Sequence, residues 1–172
     1  LTHVLLDCFT TYGTQVFAPF SNLRVAWGTV SVVDPLYTLP FLVCLLVAAR
    51  FARNDSRRRL MNLLGLSWSV LYLVITVVNY NQVQRTVAEA LQDQGHSHQR
   101  FLITPTIFNN VLWNVVVDTG DSFLLAQHSI FDEIPLHFQP VSKGYELLHN
   151  LESDETIGVL QWFSAGYLNA VR

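Results

Sequence analysis

The chain has 172 residues, of which 51% are hydrophobic and 13% charged, with a formal net charge of -3. Soluble domains carry charge on about a quarter of their residues, so this balance points to a protein embedded in a membrane. A mildly acidic total also gives no reason to expect nucleic acid as a partner.

The first residue is Leu, and neither a signal peptide nor a charged leader is visible, so further residues are expected upstream. Thr2 suits an N-cap, Val4 to Tyr12 suit about two helical turns, and Gly13 suits a stop. Pro19, Ser21 and Asn22 mark a loop, and Val25 to Val33 form a short apolar stretch suited to an interfacial or re-entrant segment. Residues 35–52 then read as a first membrane span, with Pro40 near its start, Asp34 before it and Arg50 near its end. Residues 50–59 hold five of the ten basic side chains, all Arg, and residues 60–80 carry no charge and predict a second span. An Arg-rich short loop stays in the cytoplasm, so both the His3 segment and everything after Asn81 are expected outside it.

Beyond the spans, Val83, Val87, Ala90 and Leu91 recur at helical spacing up to Gly95. The pattern then turns to strands: Val111 to Val117 and Phe123 to Phe131, separated by the turn Asp118 to Ser122, predict a hairpin with Trp113 and Phe123 or Leu125 in its core. Leu136 to Gln139 offer a third strand, and Ile157, Leu160, Ser164, Tyr167 and Val171 fit one face of a closing helix. The fold expected is a mainly α membrane protein with a small β region: residues 1–80 embedded in the membrane, residues 81–172 an extracytoplasmic α+β region.

His3 and Asp7 are four residues apart, so a helix projects both from one face, and an imidazole nitrogen and a carboxylate oxygen are good ligands for zinc or a similar divalent ion. Spacing alone favours a surface pair. Asp34, just before Pro35, reads as a cap rather than as a partner of a ligating His. His96 and His98 lie in a polar linker and read as solvated; His128 reads as a strand-face residue; His137 and His149 have no companions at ligand spacing. Ser69, Tyr72, Thr76, Asn79 and Tyr80 form a polar stripe suited to interhelical hydrogen bonds, since no ionisable group accompanies them to make an ion path. Cys8 and Cys44 form no disulfide framework and read as apolar packers.

The succession from His3 and Asp7 through Thr10-Thr11-Tyr12-Gly13-Thr14, Pro19-Phe20-Ser21 and Val33-Asp34-Pro35 to Tyr37-Thr38-Leu39-Pro40 resembles the YdjM-like family of bacterial inner-membrane metal-dependent hydrolases. A second block, Thr104-Pro105-Thr106 through Phe108-Asn109-Asn110 to Trp113-Asn114, is similar to the extramembrane region of that family. The resemblance implies a metal site near the membrane, with His3 and Asp7 matching the last pair of family ligands. The earlier family motifs, an Asp-bearing segment and a His-Arg-x-x-Thr-His stretch, are expected before Leu1. A more distant likeness of the family to zinc-dependent phospholipases C implies phosphoester hydrolysis.

The resulting expectation is a multi-pass inner-membrane hydrolase acting on an ester or phosphoester near the bilayer, with a divalent metal such as zinc held in part by His3 and Asp7. Its partners would be the lipid bilayer and a lipid or phosphoester substrate. The rival is a non-catalytic membrane protein whose β-rich outer region binds a partner.

Overall fold

A computed structural model describes residues 2–98, 100–144 and 155–169. Helix α1, Thr2–Phe9, is shorter than expected and starts at Thr2 rather than being capped by it. It stops because Thr10 turns back on it: the Thr10 hydroxyl donates to the Asp7 carbonyl at 2.8 Å, and Thr10 bridges in parallel to Val30. The stretch before α2 is extended chain tied to the end of α1, with the Thr29 and Val30 amides both donating to the Phe9 carbonyl.

Helix α2, Pro35–Ala49, begins at an Asp34 N-cap whose Oδ1 accepts from the Leu36 and Tyr37 amides at 3.0 and 3.4 Å. The cap reading of Asp34 is therefore correct. Pro35 occupies the first turn, where its missing amide costs nothing. Pro40 lies inside the helix, has no amide to offer the Leu36 carbonyl four residues back, and yet the helix continues. The Trp68 indole, on the next helix, donates to that carbonyl at 3.2 Å. Trp68 thus replaces a missing backbone donor as well as packing.

Helix α2 ends at Ala49 rather than at residue 52, because Arg50 already has turn geometry, with its amide reaching the Val47 carbonyl at 3.1 Å. At 15 residues it rises about 22 Å, short of the ~30 Å hydrocarbon core. Helix α3, Ser56–Asp93, runs 38 residues and is, among the described residues, the one helix long and apolar enough to cross a membrane. It contains the expected span 60–80 and the amphipathic segment beyond it as one unbroken helix. Asp55 caps its start and pairs with Arg57 at 3.0 Å; hydrogen bonding to Arg57 holds the Asp55 carboxyl below the usual carboxylate range. The two helices pack side by side where Gly65 meets Cys44 and Phe41; a Cβ at Gly65 would sit 3.1 Å from that of Cys44. A small residue at the crossing lets two apolar helices approach.

Four antiparallel strands follow in the order β1 Arg100–Pro105, β2 Leu112–Asp118, β3 Ser122–Ser129 and β4 Gln139–Ser142. The β2–β3 hairpin is as the sequence predicts: Asp118 stands opposite Phe123, and Gly120 takes φ 99° in the turn. Strand β3 ends at Ser129 rather than Phe131, because the Asp132 carboxylate accepts the Ser129 amide and starts a turn. The expected strand 136–139 is displaced to Gln139–Ser142, leaving Leu136 as a buried loop residue. Strand β1 is an addition, paired along its whole length with β2.

One face of the sheet packs on α3. Val83, Val87 and Leu91 form a stripe at helical spacing against Ile103, Trp113, Val115, Val117, Leu124 and Leu136. Phe123 is buried at the hairpin end, whereas Leu125 points out. The closing helix α4, Glu155–Phe163, is shorter than expected. It ends where Ala165 and Gly166 adopt φ of 51° and 81°; the Gly166 amide returns to the Gln161 carbonyl, and a Cβ there would strike the Arg100 guanidinium. Tyr167 therefore leaves the helix and packs on Phe123, while Val171 and His149 lie outside the described residues.

Candidate functional site

His3 and Asp7 project from one face of α1, with Nε2 and Oδ2 3.4 Å apart; the His3 side chain is 87% exposed and that of Asp7 37%. They border a cleft of about 320 Å³ whose other walls come from Thr10, Tyr12, Ser31, Asp34, Tyr37 and Thr38. The cleft exists because Gly13 (φ 63°) reverses the chain, so that Thr14 pairs with Val25 and returns Val30 and Ser31 alongside α1. A Cβ at Gly13 would lie 2.3 Å from the Val25 carbonyl oxygen, so the turn admits only glycine.

Asp34 lies 3% exposed on the far side of this cleft. Its Oδ1 serves the α2 cap, and its Oδ2 accepts from the Tyr72 hydroxyl at 2.6 Å. Both oxygens are thus committed to joining the start of α2 to α3. The Tyr37 hydroxyl shares a proton with Ser69 at 2.7 Å, and Asn79 donates to the carbonyl and side-chain oxygens of Asn110. Within the polar stripe of α3, Ser69, Tyr72 and Asn79 form hydrogen bonds to α2, its cap and the β1–β2 loop, whereas Thr76 bonds the Leu73 carbonyl of its own helix and Tyr80 packs on Trp113. Sequence reasoning missed the Asp34–Tyr72 bond; with the partners 38 positions apart, no local spacing announces it.

As donors, His3 and Asp7 have suitable chemistry and an open approach. A catalytic zinc takes three protein ligands and keeps a further position open, and among the described residues no group of three or more His, Cys, Asp or Glu could hold a metal. Among the described residues the cleft thus holds no complete ligand set. His96 and His98 do not converge: His96 meets the Phe138 ring edge-on at 5.7 Å, and His98 lies beside Phe101. His128 is buried in β3 opposite Trp113. His137 stands with Gln139, Thr104, Asn114 and Gln127 around an open groove of about 620 Å³ on the outer sheet face, far from His3 in the sequence and sharing no wall with its cleft.

A second anchored cluster lies at the hairpin end. Asp118 and Lys143, both nearly buried, form an ion pair, and Arg100 reaches the other Asp118 oxygen at 3.4 Å. Burial pushes the Asp118 carboxyl upward, but Lys143, the Gly120 amide and Arg100 outweigh it and hold the pKa below the usual range. Asp118 and Lys143 are closed off from solvent, and the cluster reads as a structural clasp.

Residues 1–83 match the family described as YdjM inner membrane protein. Over 174 aligned positions the chain is 25% identical to the uncharacterized protein YfhP of Bacillus subtilis (strain 168), covering 96% of this chain and 49% of that protein. The chain thus spans about half the length of this relative. No solved structure matches it.

Proposed function

We propose, on the premise that residues 1–83 belong to the YdjM inner membrane protein family, that this chain is the membrane-anchored part of a metal-dependent hydrolase. Its substrate would be an ester or phosphoester presented at the bilayer surface. The observation that carries the proposal is the open cleft in which His3 and Asp7 stand 3.4 Å apart beside the Asp34 anchor of the helix pair. His3 Nε2 and Asp7 Oδ2 would provide two donors to a zinc-like ion, the remaining donors lying outside these residues. Such an ion, when bound, supplies Lewis acidity toward a scissile oxygen. Asp34, through its cap and Tyr72, fixes the wall opposite the donors, and Thr10 fixes the end of the helix that carries them.

In this reading α2 and α3 form a membrane hairpin joined at the Arg-rich turn 50–59, with residues 81–172 outside the cytoplasm. Support comes from the apolar surface that both helices expose, from Leu36 to Val47 on α2 and from Leu60 to Val78 on α3, and from the five arginines at the turn. Local thinning or helix ends in the headgroup layer would accommodate the shorter α2. Reporter fusions after Arg59 and after Gln139 are expected to report opposite compartments. Matching signals would overturn the hairpin.

Metal analysis of the full-length protein in detergent tests the site. His3→Ala and Asp7→Asn are each expected to lower bound metal at least about tenfold, with membrane insertion unchanged because neither residue lies in a spanning helix. His96→Ala is the control and should leave metal content intact. Full metal retention in the first two variants would favour the second reading, a non-catalytic membrane protein that binds a partner. The polar groove on the outer sheet face, with Thr104, Gln127 and His137 on its walls, supports that alternative.

A further inference from the structure

The sheet has two unlike ends. At one lie the β2–β3 turn and the Asp118 clasp; at the other lie the β1–β2 loop, 106–111, and the segment after β3, 130–134. The second end is fastened to α3 where its exposed apolar band stops. Asn79 donates to Asn110, Gln82 donates to the Ile130 carbonyl, and the Phe108 amide donates to the Val33 carbonyl beside α2. Val78, the last exposed apolar residue of α3, is therefore one turn or less from both attachment points.

At this level the two loops present Ile107, Phe108, Phe131 and Ile134, exposed by 69, 60, 76 and 70%. Four large exposed apolar side chains on two adjacent loops at one end of the sheet are more than scattered surface residues. The β1–β2 loop is built to hold them there. Phe108 takes φ 71°, a conformation unfavourable for an aromatic residue, and Asn109 locks it by accepting from the Val111 and Leu112 amides and donating to Thr106. Backbone strain spent on exposing a phenyl ring needs a medium that rewards the exposure. Beside these loops, a mostly apolar opening of about 700 Å³ is walled by Leu36, Ile75 and Phe108 among others, with Asn79, Asn109 and Asn110 also on its wall.

We propose that these two loops form a collar that seats the sheet on the outer leaflet of the bilayer α3 crosses, with Ile107, Phe108, Phe131 and Ile134 at the boundary of headgroups and acyl chains. Lipid tails fill the apolar opening behind them. The occupant is lipid because the collar adjoins the end of the lipid-facing band of α3 and the opening behind it is mostly apolar, with Asn79, Asn109 and Asn110 as its polar groups. Asp132 and Glu133, between Phe131 and Ile134, set the depth: carboxylates stay among the headgroups and suit a zwitterionic surface better than an anionic one. The collar holds the sheet close to the membrane, so a substrate reaching its face would come from the leaflet. The inference rests on α3 crossing the bilayer and not on the hydrolase reading.

The test uses the full chain with Cys8 and Cys44 replaced by Ala, reconstituted in phosphatidylcholine vesicles. Nitroxide labels are placed singly by Ile107→Cys, Phe131→Cys, Asp121→Cys at the far hairpin turn and Leu66→Cys in mid-span. The ratio of oxygen to nickel-chelate accessibility should be several-fold higher at 107 and 131 than at 121, and highest at 66. Ratios at 107 and 131 equal to that at 121, with 66 still oxygen-rich, overturn the collar while leaving the span intact. Labels at 107 and 131 immobilised and shielded from both reagents overturn it in favour of a protein partner. A nickel-accessible label at 66 removes the span on which it rests.

Discussion

Asp118→Asn is expected to destabilise the sheet by about 3–5 kcal/mol, the usual result of removing one partner of a buried ion pair. Asp118 and Lys143 are both nearly inaccessible, and Arg100 and the Gly120 amide complete the shell around the carboxylate. With the charge gone, the buried Lys143 ammonium loses its carboxylate, beside the Phe123 ring 4.7 Å away. Urea unfolding in a nonionic detergent, followed by the circular dichroism of the sheet, measures the loss. The pH dependence has a definite sign. A carboxyl whose pKa is lowered on folding contributes its stability fully above the unfolded carboxylate value of about 3.9. That contribution disappears as pH falls through the lowered folded value. The wild type should weaken through that acidic window, and Asp118→Asn should lose this part of the acid dependence. An equal acid dependence in both proteins would remove Asp118 as its source.

Trp113→Ala is expected to cost a further class of stability, about 3–5 kcal/mol, through the cavity it leaves. Trp113 is fully buried in the sheet core near its β1–β2 loop end, with Tyr80 of α3 at 6.0 Å and His128 opposite it on β3. Its indole Nε1 is buried without a hydrogen-bond partner. A buried unpaired donor is itself a cost of roughly 1–3 kcal/mol, which Trp113→Phe removes along with part of the volume. The Phe variant should therefore lie much closer to wild type than the Ala variant does. Equal losses in the two would show that volume does not govern this position. Because α3 is continuous through the core and the apolar span, the Ala variant should also loosen the Asn79–Asn110 attachment at the base of the sheet.

Much of the membrane-proximal architecture follows from local chemistry. The uncharged run 60–80 specifies an apolar helix, and Val83, Val87 and Leu91 extend it, because side chains four apart share one helical face. Asp34 before Pro35 specifies a cap, since a carboxylate there satisfies amides that the helix leaves open. Asp118 to Ser122 specifies a hairpin for the same local reason, a glycine-bearing turn between β-branched and aromatic runs. His3 and Asp7 share a face through spacing alone. Residues 101–104, Phe-Leu-Ile-Thr, carry strand-forming chemistry too, but a six-residue stretch beside a polar linker and a proline becomes a strand only when β2 supplies its partners.

What depends on distant contact was decided by the tertiary structure. Whether Pro40 ends α2 depended on Trp68, whose indole replaces the missing donor from a neighbouring helix. The end of α2 at Ala49 depended on the turn that brings α3 back against it, with Arg58 reaching the Phe51 carbonyl. Asp34 came to join α2 to α3 only when Tyr72 came within 2.6 Å, and β4 took its register from β3 rather than from its own hydrophobic pattern. Periodicity fixes which side chains share a face, because it is a property of one element. The partner of that face belongs to another part of the chain, and only packing brings the two together.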